Sequence, residues 1–220
     1  MKIIDLTHTI NADMPIFPGT KPPGLQEIKN MAADGYQSTE LKMNSHQGTH
    51  IDAPGHMVAG GKMLEQFPID QFFGLALVID FHGCAGKRIE VSYLQPLERE
   101  IANADFVIFH TRQAEKWGLP EYFTDYPALT PEAAEWLMQF PLKGVGFDTI
   151  SADPAGAGYK IHHILLGKND RLVIENLTNL AEIENSYCML SVLPLKYDKA
   201  DGSPVRAVAI EIELAKPPAI

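Results

Sequence analysis

This sequence predicts a mixed α/β or α+β domain built around a sheet. Strand-like runs outnumber helical ones, helix-start signals are interspersed between them, and 220 residues fit a single core without splitting. The strands are read from apolar, β-branched or alternating runs at residues 74–81, 106–110, 144–147, 172–174, 189–193 and 205–214, several of them apolar enough for burial on both faces. The clearest helix starts at Thr130-Pro131-Glu132, with Thr as N-cap, Pro at the first helical position and Glu near the positive end of the dipole; it should run to Phe140, ahead of Pro141. A second is expected from Ser92 to Asn103. Near the N-terminus, Asp13-Met14-Pro15-Ile16-Phe17-Pro18-Gly19 and Lys21-Pro22-Pro23-Gly24 favour an irregular loop suited to a pocket wall. No repeat or low-complexity tract divides the chain, so one domain over residues 1–220 is expected.

Composition narrows the class of function. The net charge of -10, with Lys and Arg scattered along the chain, argues against nucleic acid as a partner. Cys84 and Cys188 are too few for a disulfide framework and lack CxxC spacing, so both read as small buried hydrophobes. Asp5 and His8 interrupt the N-terminus before any secretory apolar region could form, and the longest apolar run, residues 72–79, falls far short of the ~20 residues that span a bilayer. The expectation is a soluble, cytoplasmic protein that acts on a small molecule, with no membrane partner.

The chemistry concentrates in Ser45-His46-Gln47-Gly48-Thr49-His50-Ile51-Asp52-Ala53-Pro54-Gly55-His56. His46, His50, Asp52 and His56 all fall at even positions, and residues two apart in an extended chain project to the same face. His50, Asp52 and His56 can therefore converge while Ile51 and Ala53 face away, whereas Gly48 and Pro54 disfavour a helix. Zn and Mn accept imidazole and carboxylate at ~2.0–2.2 Å, and His46, His50 and Asp52 supply three such ligands. A water on such an ion has its pKa lowered to about 7, and His56, just beyond the ligands, could move its proton. The HExxH pattern is absent, since Gln47 stands where the Glu would be.

A second cluster is His162-His163-Ile164-Leu165-Leu166, followed by Arg171-Leu172-Val173-Ile174-Glu175-Asn176-Leu177. Glu175 sits inside an apolar strand, where a carboxylate is costly unless it is paired or bound to a metal; the alternative is a strand-end Glu that faces solvent or pairs with an Arg. His162 and His163 are read as adjacent strand residues, which point to opposite faces, so only one of them can face a metal.

With both clusters in view, the chain resembles the cyclase superfamily of metal-dependent hydrolases, which includes bacterial kynurenine formamidase and isatin hydrolase. The family pattern HxGTHxDxPxH is met by His46, Gly48, Thr49, His50, Asp52, Pro54 and His56. A His followed twelve residues later by Glu-Asn-Leu is met by His163, Glu175, Asn176 and Leu177. Ile4-Asp5-Leu6-Thr7, the Pro15–Gly19 loop and Gly146-Phe147-Asp148-Thr149-Ile150-Ser151 extend the likeness along most of the chain.

The resemblance implies a swivelling β/β/α fold with a central barrel-like sheet, assembled as a homodimer or homotetramer. It implies a first metal on His46, His50 and Asp52, a second reached by Asp52 and held by His163 and Glu175, and His56 as general acid/base, with Zn or Mn at one or two ions per chain. The expected activity is arylformamidase-like hydrolysis of an amide-type C–N bond, in N-formylkynurenine or a cyclic amide such as isatin. A lactone or ester hydrolase of the same family and a non-catalytic metal-binding protein are the alternatives. Family members acting on aryl formamides tend to have Trp where this chain has Phe17, and Asp where it has Thr20. Phe17 and Tyr159 are the candidate pocket residues, with Tyr36 and Trp117 as further aromatic candidates.

Overall fold

The computed structural model describes residues 1–81, 88–167 and 170–211. Cys84 and the C-terminal end of the strand expected at 205–214 therefore lie outside the described residues. The strands are β1 Lys2–Asp5, β2 Gly24–Lys29, β3 Ser38–Lys42, β4 His50–Asp52, β5 Phe73–Asp80, β6 Arg88–Ile89, β7 Phe106–His110, β8 Ala128–Leu129, β9 Gly144–Phe147, β10 Leu172–Glu175, β11 Tyr187–Ser191, β12 Gly202–Pro204 and β13 Val208–Glu211. The α-helices are short: α1 Met31–Asp34, α2 Pro54–Met57, α3 Val91–Leu94, α4 Glu98–Ala102, α5 Pro131–Leu137 and α6 Lys160–Leu166.

Nine strands form one sheet in the order β1-β13-β11-β5-β7-β9-β10-β4-β12. Its middle, β5-β7-β9-β10, is parallel, and antiparallel strands flank it on both sides. Alternation along β7 shows how the two faces are used. Val107 and Phe109 join Val145, Phe147 and Val173 under Leu137 of α5 and Leu165 of α6. Phe106 and Ile108 join Ile4, Ile51, Ile174, Leu190 and Ala209 on the other face. That second cluster draws on strands from both ends of the sheet, so the sheet curls around it as a half-barrel.

The expected strands at 106–110 and 144–147 match β7 and β9, and Thr130 caps α5 by accepting a hydrogen bond from the Ala133 N–H at 3.1 Å. Several elements differ from expectation. His56 lies in the short helix α2, with Pro54 at its first position, where the even spacing predicts extended chain, and α5 ends at Leu137 instead of Phe140. The single helix expected over 92–103 is divided into α3 and α4 by a 3-10 turn at Gln95–Leu97, because Pro96 has no N–H to donate and its ring clashes with the carbonyl four residues back. The segment around His162 and His163 is the helix α6, with Ile161, His162, Leu165 and Leu166 buried at helical spacing. An edge strand that the sequence patterning did not pick out, β12, pairs Gly202 with Asp52 and Pro204 with His50; Pro is tolerated there because the edge has no further ladder to serve.

Candidate metal centre

The centre forms where β10 and β4 run side by side. Their register sets Glu175 opposite His50 and Val173 opposite Asp52. Directly opposed residues share a face, so His50, Asp52 and Glu175 all project to the side covered by α6. Asn176 turns the chain away immediately after Glu175 with a left-handed φ of 57°, which Asn tolerates better than most residues. Its side-chain amide donates to the Gly48 carbonyl at 2.9 Å, and its backbone carbonyl accepts from the Thr49 hydroxyl at 2.6 Å. The Gly-Thr-His segment is thus tied to the end of β10.

Helix α6 brings in the last imidazole. The Asp153 carboxylate accepts from the N–H groups of Ile161 at 2.6 Å and His162 at 3.2 Å, two first-turn donors that have no partner within the helix. The same carboxylate meets His162 Nδ1 at 2.5 Å, leaving Nε2 aimed at the centre. His162 Nε2 stands 3.0 Å from Glu175 Oε1 and 3.5 Å from Asp52 Oδ2. His163 is exposed on the outer side of α6. The assignment of His163 to the centre therefore needs correction by one residue, because successive residues of a helix are turned about 100° apart and the face toward the sheet belongs to His162.

The donor spacing fits a metal. Ligands at ~2.0–2.2 Å from a tetrahedral ion stand about 3.3–3.6 Å from one another. His50 Nε2 lies 3.4 Å from Asp52 Oδ1 and 3.4 Å from Glu175 Oε2, while its Nδ1 meets the Gly48 carbonyl at 2.9 Å. His50, Asp52, His162 and Glu175 are thus linked in a chain of close contacts, all buried, with no Lys or Arg side chain paired to either carboxylate among the described residues. Two buried carboxylates need positive charge on their shared side, which a divalent cation or imidazolium supplies. Asp52 belongs to two candidate ligand groups, one with His46 and His50 and one with His162 and Glu175.

His46 and His56 form the outer edge. His46 Nδ1 meets Asp52 Oδ1 at 2.6 Å, a direct hydrogen bond shorter than a ligand-to-ligand separation, and its Nε2 meets Asp201 Oδ2 at 3.1 Å. Burial opposes a charge on this ring, but Asp52 and Asp201 outweigh it and hold the pKa up to about 9. For His162 burial likewise works against the charge, and Glu175, Asp153 and Asp52 overcome it, raising the pKa well above the usual value. Asp52 is the complement: burial pushes its pKa up, and His50, His162 and His46 bring it well below the usual carboxylate value. The His56 ring stacks on that of His46 with centroids 3.8 Å apart. Its pKa is lowered, first by burial and then by the neighbouring imidazoles against the pull of Asp52, which favours the neutral ring.

A cavity of about 500 Å³ opens onto these groups, lined by Phe17, Met57, Ile150 and Tyr159 beside the histidines and carboxylates. Phe17 and Tyr159 are neighbours in this lining, with ring centroids 6.5 Å apart and the rings tilted by 38°. Trp117 is instead stacked on His8 at 3.7 Å, and Tyr36 is exposed beyond the cavity. Sequence patterning gives no sign of Asp153 or Asp201: neither sits in a motif with the histidines, and Asp201 lies 155 residues from His46. Cys188 is buried and its thiol is pushed up to about 12 by burial, as a small core residue would be.

Comparison with known proteins agrees with this geometry. The Cyclase family model matches residues 4–154, a span that includes His46 to His56. Kynurenine formamidase of Bordetella pertussis is 30% identical over 212 residues, covering 96% of this chain and 99% of that protein. Cyclase-like protein 2 of Oryza sativa is 30% identical over 219 residues, covering 96% and 79% respectively. Isatin hydrolase A of Labrenzia aggregata superposes with a TM-score of 0.84 at 26% identity, covering 94% of this chain and 93% of that one. With matches along nearly its whole length and two groups of metal-type donors sharing Asp52 where the sheet meets α6, the chain belongs to the cyclase family of metal-dependent hydrolases.

Proposed function

We propose that the chain hydrolyses the C–N bond of an aryl formamide, such as N-formylkynurenine, or of a cyclic amide, such as isatin. The observation that carries this reading is the juxtaposition of two donor groups that share buried Asp52, His46–His50–Asp52 and Asp52–His162–Glu175, with a cavity lined by Phe17 and Tyr159. A divalent ion held there, Zn or Mn at one or two per chain, would lower the pKa of water and polarise the substrate carbonyl. His50, Asp52, His162, Glu175 and His46 are the residues proposed to hold it. His56, neutral and at the cavity wall, takes a proton from the attacking water and returns it to the leaving nitrogen. The aromatic walls orient a flat substrate over the centre and exclude bulk water.

A second copy of the chain is proposed as partner, in a homodimer or homotetramer. The β2–β3 hairpin exposes Leu25, Ile28 and Leu41 with Met31 and Tyr36 at its turn, and a two-stranded hairpin is marginal in water without a surface to pack on. Turnover of N-formylkynurenine, isatin and simple lactones by the metal-loaded protein tests the activity. Amide turnover is expected, and turnover of lactones alone would overturn the reading.

A further inference from the structure

Each imidazole proposed to hold the ion has its second ring nitrogen held. His50 is held by the Gly48 carbonyl, His162 by Asp153, and His46 by Asp201. The first two anchors are buried, whereas Asp201 is partly exposed, with 42% side-chain exposure. We propose that Asp201 is a positioning residue for the outer edge of the centre, fixing the His46 ring through Nε2 so that Nδ1 faces Asp52. This inference rests on His46 being a metal ligand.

Four features tie Asp201 to that task. Its backbone carbonyl accepts from the Ala53 N–H at 2.9 Å, next to Asp52. Glu65 accepts from the N–H groups of Lys199 and Ala200 at 3.1 Å each, pinning the loop from its other side. Gly202 lies directly under the His46 ring: a Cβ there would come within 2.8 Å of Nδ1 and 2.9 Å of Nε2, so only glycine lets β12 seat the ring. The Asp201 oxygen that meets His46 is also 3.8 Å from His56 Nδ1, so one carboxylate faces both stacked rings. A carboxylate that orients a ligating histidine and raises its basicity typically contributes 10–100-fold in metal affinity.

The test measures zinc affinity by competition with a chromophoric chelator, together with melting of the metal-free protein. Asp201→Ala should bind zinc about 10–100-fold more weakly. Asp201→Asn should lose less, because its amide oxygen still accepts a hydrogen bond. Gly202→Ala should weaken zinc by displacing the same ring. Melting of the metal-free variants should change little, which separates positioning from a structural role. In a His46→Ala background, Asp201→Ala should add no further loss. If His46→Ala weakens zinc while Asp201→Ala leaves it within twofold of the native protein, Asp201 does not position the ring. If Asp201→Ala does not fold, Asp201→Leu, which has no acceptor for the ring, takes its place, and zinc affinity within twofold of the native protein in that variant overturns the proposal in the same way. If His46→Ala itself leaves zinc binding unchanged, His46 is not a ligand and this inference falls with it.

Discussion

The inner and outer halves of the centre are built from different materials. His50, Asp52 and Glu175 sit on paired strands, His162 sits on a helix packed over them, and all are at most 5% exposed. His46 and His56 lie on either side of β4, with 22% and 26% side-chain exposure, and touch Asp201 on the loop that enters β12. Register fixes the three strand donors of the inner half through backbone hydrogen bonds, whereas side-chain contacts fix His162 and the outer rings. The inner half is suited to hold charge, and His56 on the outer half to move protons.

The largest effect that would sharpen this contrast is expected from His56→Ala: kcat should fall by about 10²–10⁴ while metal content by elemental analysis stays unchanged. Loss of metal in that variant would move His56 into the ligand set. On the inner side, Asp153→Ala frees the His162 ring and two first-turn donors, so metal affinity should fall about 10–100-fold in a chelator competition. Retained affinity would show that α6 needs no carboxylate to aim His162. Glu175→Gln should lose one ion if two are bound, and unchanged stoichiometry would favour a single ion.

His8, behind the inner half, donates its backbone N–H to Thr49 and stacks on Trp117. Burial lowers its pKa from 6.5 to about 4. Between those values the unfolded chain binds more protons than the folded one, so this stabilisation is complete above pH 6.5 and is lost as pH falls toward 4. The loss is on the order of 2–3 kcal/mol. His8→Phe keeps the stack and should remove this slope from the difference in urea-unfolding free energies across the window; an unchanged slope would mean that His8 does not contribute. The smallest effect is expected from His163→Ala, within about 0.5 kcal/mol in stability and without change in metal content. A drop in metal content there would restore the twelve-residue spacing over the geometry.

Legibility in the sequence followed the range of the interactions. The even spacing of His50 and Asp52 predicts one shared face, and β4 places both there, because strand alternation is local geometry. The runs that became β7 and β9 were legible for the same reason. His162 was not, because a short apolar run does not distinguish strand from helix, and the Asp153 carboxylate that caps α6 stands outside that run. Asp201 was equally hidden, since its place beside His46 depends on an edge strand that the sequence patterning did not pick out.

The sequence by itself determined the kind of chemistry, through a dense run of imidazoles and a carboxylate at strand period and a glutamate in an apolar strand. The tertiary structure alone decided which histidine of the 162–163 pair faces Glu175 and which carboxylates hold the rings, because helix rotation and strand pairing between distant segments set those directions.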